Sequence, residues 1–105
     1  MLGYLYRKLM NKKDSYLQAV RAVAAAMTHM MPQLWAPELT AVALQFCATN
    51  MAADRLPTLY AAIEQRAFAV LHTCSLQQVA DLMWALHRAD ALTADFAQAA
   101  RTHAH

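Results

Sequence analysis

Ser75-Leu76-Gln77-Gln78-Val79-Ala80-Asp81-Leu82-Met83-Trp84-Ala85-Leu86-His87-Arg88 reads as one amphipathic helix with its start signal attached. Ser75 can cap the first turn, and Gln78 three residues on completes a capping box. Val79, Leu82 and Leu86 fall on one face at i, i+3 and i+7. Met83 and Trp84 widen that face, so the spacing predicts a helix touched on two sides, with Trp84 among core positions. About forty residues earlier, Glu38-Leu39-Thr40-Ala41-Val42-Ala43-Leu44-Gln45-Phe46 repeats the pattern. Leu39, Val42 and Phe46 stand where Val79, Leu82 and Leu86 stand later, and Leu44 takes the place of Trp84.

The spacing extends beyond this pair. Tyr16, Leu56 and Phe96 recur at the same interval, followed in phase by Ala19, Leu59 and Ala99, then by Val20, Tyr60 and Ala100. Such a period predicts an all-α chain, a short α-solenoid of about three helical hairpins and about six helices. The hairpins fall at about 1–31, 37–72 and 75–103, in a single domain over 1–105. Gly3 is the only glycine, which leaves little material for strands or long loops.

Helix boundaries follow from the same signals. Residues 1–12 predict a short helix with Leu2, Leu5 and Leu9 on one face. Asp14 or Ser15 can cap a second, from about Tyr16 to Met31, which Pro32 ends. Pro37 opens a third, to end near Met51. Asp54 is the expected cap of the fourth, with Pro57 in its first turn and Leu59, Tyr60, Ile63, Ala67 and Val70 on its buried side. The fifth runs from Thr73 or Ser75 to about Ala89. Thr93 caps the sixth, from Ala94 to about Thr102.

Apolar residues make up 59% of the chain and charged ones 15%. A small domain exposes much surface for its volume, so this surplus points to a partner covering part of it. No apolar run reaches the length of a membrane span. Two cysteines, Cys47 and Cys74, form no C-x-x-C pair, which argues against a disulfide framework. Charge is uneven. Arg7, Lys8, Lys12 and Lys13 crowd the first residues without an acid, while the other five basic residues face seven acids. A basic, apolar, acid-free start is shared with mitochondrial targeting segments; here it is expected to be kept and ordered.

Gln77 to Leu86, with Ser75 before it, resembles the first helix of the degenerate repeats called octotricopeptide, heptatricopeptide and FAST-kinase-like repeats. Their Val/Leu-Ala-polar-Leu-apolar-Trp-Ala-Leu/Phe run matches Val79 to Leu86. Ala36-Pro37-Glu38-Leu39 to Phe46 fits more loosely, with Leu44 where Trp is usual. The resemblance covers roughly residues 36–100. It implies hairpins stacked as a right-handed solenoid, a mitochondrial or other organellar setting, and association with RNA or ribonucleoprotein. A RAP domain often follows such repeats, and none is present in this sequence, which moves the expectation from RNA reading towards docking. Leu5-Tyr6-Arg7 is similar to the tripeptide of the LYR family of small mitochondrial accessory proteins, which would imply binding of an acyl carrier protein.

No constellation for catalysis emerges, and no catalytic residue, cofactor or metal is assigned. Asp14, Asp54 and Asp95 sit at expected helix starts, where capping and the helix dipole account for them. Cys47, His72, Cys74 and His87 lack the paired spacing of zinc ligands. Trp35 and Trp84 can stack on bases, but one is expected in a joint between hairpins and the other in the core. Should the chain meet ribosomal RNA, phosphate contacts fall to Arg7, Lys8, Lys12 and Lys13. Met27, Met30 and Met31 form an adaptable apolar patch, with Trp35 near it, expected to dock a protein partner. The sequence therefore predicts a non-catalytic accessory subunit held by other subunits of a large assembly on the matrix side of the mitochondrion. A mitochondrial ribosome comes first. A respiratory complex, an ATP synthase or an RNA-binding repeat module stand as alternatives.

Overall fold

The structure is a computed structural model that describes residues 2–49 and 53–104, with side chains described for 15–49 and 53–103. It contains α1 (Leu2–Met30), α2 (Ala36–Cys47), α3 (Pro57–Val70), α4 (Leu76–Arg88) and α5 (Ala94–Ala104). One 3-10 turn, Met31–Gln33, leads into α2, and another, Leu71–Thr73, leads into α4. No strand occurs among the described residues. The expected helical class stands. Among the described residues the α-helices number five, where about six were expected.

The difference lies at the start of the chain. Separate helices at 1–12 and 16–31 were expected, yet Leu2–Met30 is one α-helix. Asp14 and Ser15 therefore lie inside a helix rather than cap one. Between Gly3 and Pro32 the sequence holds no glycine and no proline. A growing helix gains one hydrogen bond per added residue, whereas a break requires a second costly nucleus, so polar residues alone do not stop it.

The two lead-ins to α2 and α4 are built alike. The Leu34 N–H donates to the Met31 carbonyl at 3.1 Å, and the Cys74 N–H to the Leu71 carbonyl at 3.0 Å. Leu34 and Cys74 are both extended, and so are the helix-starting residues Trp35 and Ser75. Their caps differ. Ser75 accepts from the Gln78 N–H at 3.1 Å while its own N–H donates to the Gln78 side chain at 2.9 Å, which is the predicted capping box. Trp35 offers no side-chain cap. Pro37 sits in the first turn of α2, where its missing N–H costs nothing.

Other boundaries correct the expectation. α2 ends at Cys47, and the expected end at Met51 lies outside the described residues. Asp54 caps nothing: it lies in a turn, and α3 begins after Leu56 with no side-chain cap, opened by Pro57. α4 closes as a Schellman motif. The Ala91 N–H reaches the Leu86 carbonyl at 2.7 Å and the Asp90 N–H reaches the His87 carbonyl at 3.0 Å, with Asp90 at φ 60°. Thr93 caps α5 as predicted, accepting from the Phe96 N–H at 3.1 Å, and its hydroxyl donates to Glu64 of α3 at 3.0 Å.

α1 packs on α3 and α3 on α5, while α2 packs on α4; α3 also touches both α2 and α4. The core runs through all of them. Leu39, Ala43, Ile63, Ala67, Leu82, Ala85, Leu86 and Phe96 are fully buried. The predicted buried side of α3, from Leu59 to Val70, is buried throughout. Thr40 is the buried polar residue, and its hydroxyl donates to the Ala36 carbonyl at 2.7 Å, one turn back. Trp84 departs from expectation. It is more than half exposed, and Ala85 fills the core beside Leu82 and Leu86 instead. On a helix a residue next to a core position points about 100° away, so widening the apolar face outward exposes its rim.

Candidate docking surface

The described part of α1 carries two adjoining apolar stripes. Leu17, Val20, Ala24 and Met27 form the one that packs on the core. Tyr16, Ala19, Val23 and Met30 form the other, and it faces outward. The outer stripe meets α2 along a groove of about 250 Å³ lined by Tyr16, Ala19, Val20 and Val23 on one side and Gln45, Phe46 and Thr49 on the other. Among the described residues, no carboxylate, guanidinium or amine lines it. A surface of this kind gives up little hydration when covered, and each covered side chain contributes a favourable transfer term.

The register of that stripe matters more than its size. Tyr16, Ala19, Val20, Val23, Met27 and Met30 stand about forty residues before Leu56, Leu59, Tyr60, Ile63, Ala67 and Val70. Every residue of the later set is buried. Tyr16, Val23 and Met30 are 53%, 55% and 45% exposed, where Leu56, Ile63 and Val70 are 5%, 0% and 1% exposed. The pattern is the same, and only the cover differs.

The predicted docking residues divide. Met30 is exposed and belongs to the stripe. Met27 is half-buried against the core. Met31 is a correction: it is buried, because the helix ends at Met30 and the 3-10 turn around Pro32 directs it inward. Trp35 is more than half exposed, and the Arg66 guanidinium lies 5.2 Å from the centre of its ring. Arg7, Lys8, Lys12 and Lys13 are on α1, but their side chains lie outside the described residues.

Arg66 does more than stack. Its Nε donates to the Leu34 carbonyl at 2.6 Å and so fixes the lead-in to α2. A matching tie exists later in the chain. His103 Nε2 lies 3.1 Å from the Cys74 carbonyl, and must carry the proton to donate to it. Leu34 and Cys74 hold equivalent places before α2 and α4; Arg66 and His103 are each the tenth residue of their helix, though they stand 37 residues apart, one turn off the forty-residue register. Sequence reading missed this pair. A basic residue at the tenth position of both α3 and α5 is the signal that could have found it.

Sequence reading also missed that Arg21, His29 and Arg55 line one groove, at the meeting of α1 with the start of α3. A larger groove of about 710 Å³ runs between the end of α1 and α3, floored by small residues such as Ala61, Ala62 and Ala69. Among the described residues, no three of His, Cys, Asp and Glu gather as metal ligands would, and no helix is long and apolar enough to cross a membrane. Cys47 and Cys74 are free and buried. Burial pushes the Cys74 thiol up from its ordinary pKa. Burial, and then the neighbouring Cys47, push the Tyr60 phenol to about 12.

Compared with known proteins, the chain matches no family model, no curated protein and no solved structure.

Proposed function

We propose that the protein is a non-catalytic accessory subunit, a short α-solenoid of about three hairpins that docks into a large mitochondrial assembly on the matrix side. The observation that carries this reading is the exposed stripe of Tyr16, Ala19, Val23 and Met30, which matches buried residues of α3 in register and in apolar character. Contiguous apolar surface of this kind marks a site of association rather than chemistry. The recurring lead-ins, 3-10 turn then helix, support the repeat. The resemblance of Ser75 to Leu86 to octotricopeptide-like repeats supports an organellar ribonucleoprotein, so a mitochondrial ribosome is the first choice of assembly. A respiratory complex or ATP synthase is the second.

A second reading, RNA binding by the repeats themselves, draws on one observation: Arg21, His29 and Arg55 share a groove. Salt separates the two. Phosphate contacts release counterions and weaken steeply as salt rises, whereas apolar docking does not. The test follows the tagged full chain through a density gradient of mitochondrial extract at low and high salt, with cross-linking to identify its neighbours. Docking predicts sedimentation with a large particle at both salts and cross-links from α1 to protein. Sedimentation at the size of the free chain, or release by high salt, would overturn it.

A further inference from the structure

The exposed stripe of α1 has a counterpart on α2, and together they outline a place for one more helix. Leu82, Ala85, Leu86 and Ala89 of α4 are all buried. Their counterparts on α2 are Val42, Gln45, Phe46 and Thr49. Of these, only Phe46 is buried; Val42 and Thr49 are half-buried and Gln45 is exposed. α4 has α2 packed beside it, and among the described residues no helix packs on the corresponding side of α2. Likewise α3 touches both α2 and α4, while α1 meets α2 only across the open groove. Gln45, Phe46 and Thr49 form one wall of that groove, and Tyr16, Ala19, Val20 and Val23 form the other. Both walls are short of the same neighbour.

We infer that this groove takes a single amphipathic helix from a partner protein, lying beside α2 as α2 lies beside α4. This rests on the stacked-hairpin reading proposed above. The repeat specifies the chemistry of the occupant. Towards α1 it presents apolar residues at i, i+3 and i+7, as Leu39, Val42 and Phe46 do on α2 and Val79, Leu82 and Leu86 on α4. Towards α2 it presents small side chains. Ala36, Thr40, Ala43 and Cys47 are the buried residues of α2 whose counterparts on α4, Leu76, Ala80, Met83 and His87, are exposed or half-buried. That stripe therefore marks the side on which α2 meets α4. The described lining carries no charge, so the face set against it is uncharged as well, because a buried charge without a partner is costly.

Two other occupants fit less well. A second copy has α2 and α4 engaged within its own chain, and its bare α1 stripe carries the bulky Tyr16 and Met30 where a filler of the α2 kind presents small residues; pairing of two α1 helices is the self-association outcome of the test. Residues 2–12 are part of α1 itself and cannot lie beside it without breaking the helix.

A synthetic peptide covering Trp35–Ala48 has both faces of the required helix and serves as the probe. Labelled with a fluorophore and titrated with the full chain, it is expected to bind saturably. Val23→Asp is expected to weaken binding by at least about tenfold, as is Phe46→Asp within the peptide. Leu76→Asp, at the other end of the stack, is expected to leave binding unchanged. Circular dichroism checks that each variant keeps its helices. As a second readout, the added thiol of a Val23→Cys variant is expected to alkylate quickly in the free chain and slowly with peptide present. Absence of saturable binding by the folded chain overturns the inference. So does binding unaffected by Val23→Asp, protection of the thiol without peptide, or self-association of the chain that blocks the groove. If the chain sediments with a large particle but ignores the peptide, this inference falls and the docking reading stands. If peptide binds while the chain sediments alone, the docking reading falls instead.

Discussion

α1 and α3 are written in nearly the same apolar code, and one is covered where the other is bare. From Tyr16 to Met30 and from Leu56 to Val70 the apolar residues fall at matching positions. In α3 they meet neighbours on both sides. In α1 the same stripe borders a groove. Periodicity thus encodes which residues want burial, while topology decides which of them receive it. On the docking reading proposed above, a helix of apolar period with one neighbour too few marks the place of a partner rather than a poor core.

The largest effect that can break this comparison is a paired truncation. Ile63→Ala removes a fully buried side chain from α3 and is expected to cost about 2–5 kcal/mol in urea unfolding. Val23→Ala, at the matching place on α1, is expected to change stability by no more than about 0.5 kcal/mol, as exposed substitutions do. Equal costs would mean that α1 is covered in the isolated chain.

Next come the two ties. Arg66→Ala removes a charge-assisted bond to the Leu34 carbonyl together with the contact over Trp35, and a loss of about 2 kcal/mol is expected. His103→Ala removes the equivalent bond to Cys74 from an exposed residue near the end of α5, and about 1 kcal/mol is expected. The order of the two losses, read from urea midpoints, sharpens the view that the lead-ins to α2 and α4 are pinned in the same way.

Smaller still is a gain at the end of α4. Asp90 adopts a left-handed conformation, φ 60°, that suits glycine better than a residue with a Cβ. Asp90→Gly is expected to raise stability by about 0.5–1 kcal/mol, seen as a higher unfolding midpoint.

A last effect is read in alkali. Tyr60 occupies the place on α3 that Val20 holds on α1, and burial raises its phenol from 10.0 to about 12. The folded state thus keeps a proton that the unfolded state releases. Its contribution is complete below pH 10 and is lost as pH rises from 10 towards 12. Cys74, raised by burial, acts in the same sense. Tyr60→Phe is expected to flatten the fall of stability above pH 10, measured relative to the variant's own stability near pH 7. An unchanged alkaline slope would contradict this.

Much of this was legible beforehand, and the failures share a cause. The capping box at Ser75 and Gln78, the cap at Thr93 and the buried side of α3 follow from local chemistry, which a sequence displays directly. The break expected near Asp14 did not occur, because polar composition is a weaker stop than proline or glycine. Trp84 and Met31 changed places with expectation, one outward and one inward, because each lies at the rim of an apolar face where a small rotation decides burial. The groove at α1 could be suspected from surplus apolar residues but not located. Its walls come from Val23 and Phe46, residues on different helices, and only packing brings them together.

The most direct test of the central claim is the alkylation rate of a Val23→Cys variant, measured in the free chain and again in the particle with which the chain sediments. Cys47 and Cys74 are buried and add little background. Fast reaction in the free chain and strong protection in the particle is the predicted result. Equal rates in the two would contradict the claim that this stripe is where the protein is held.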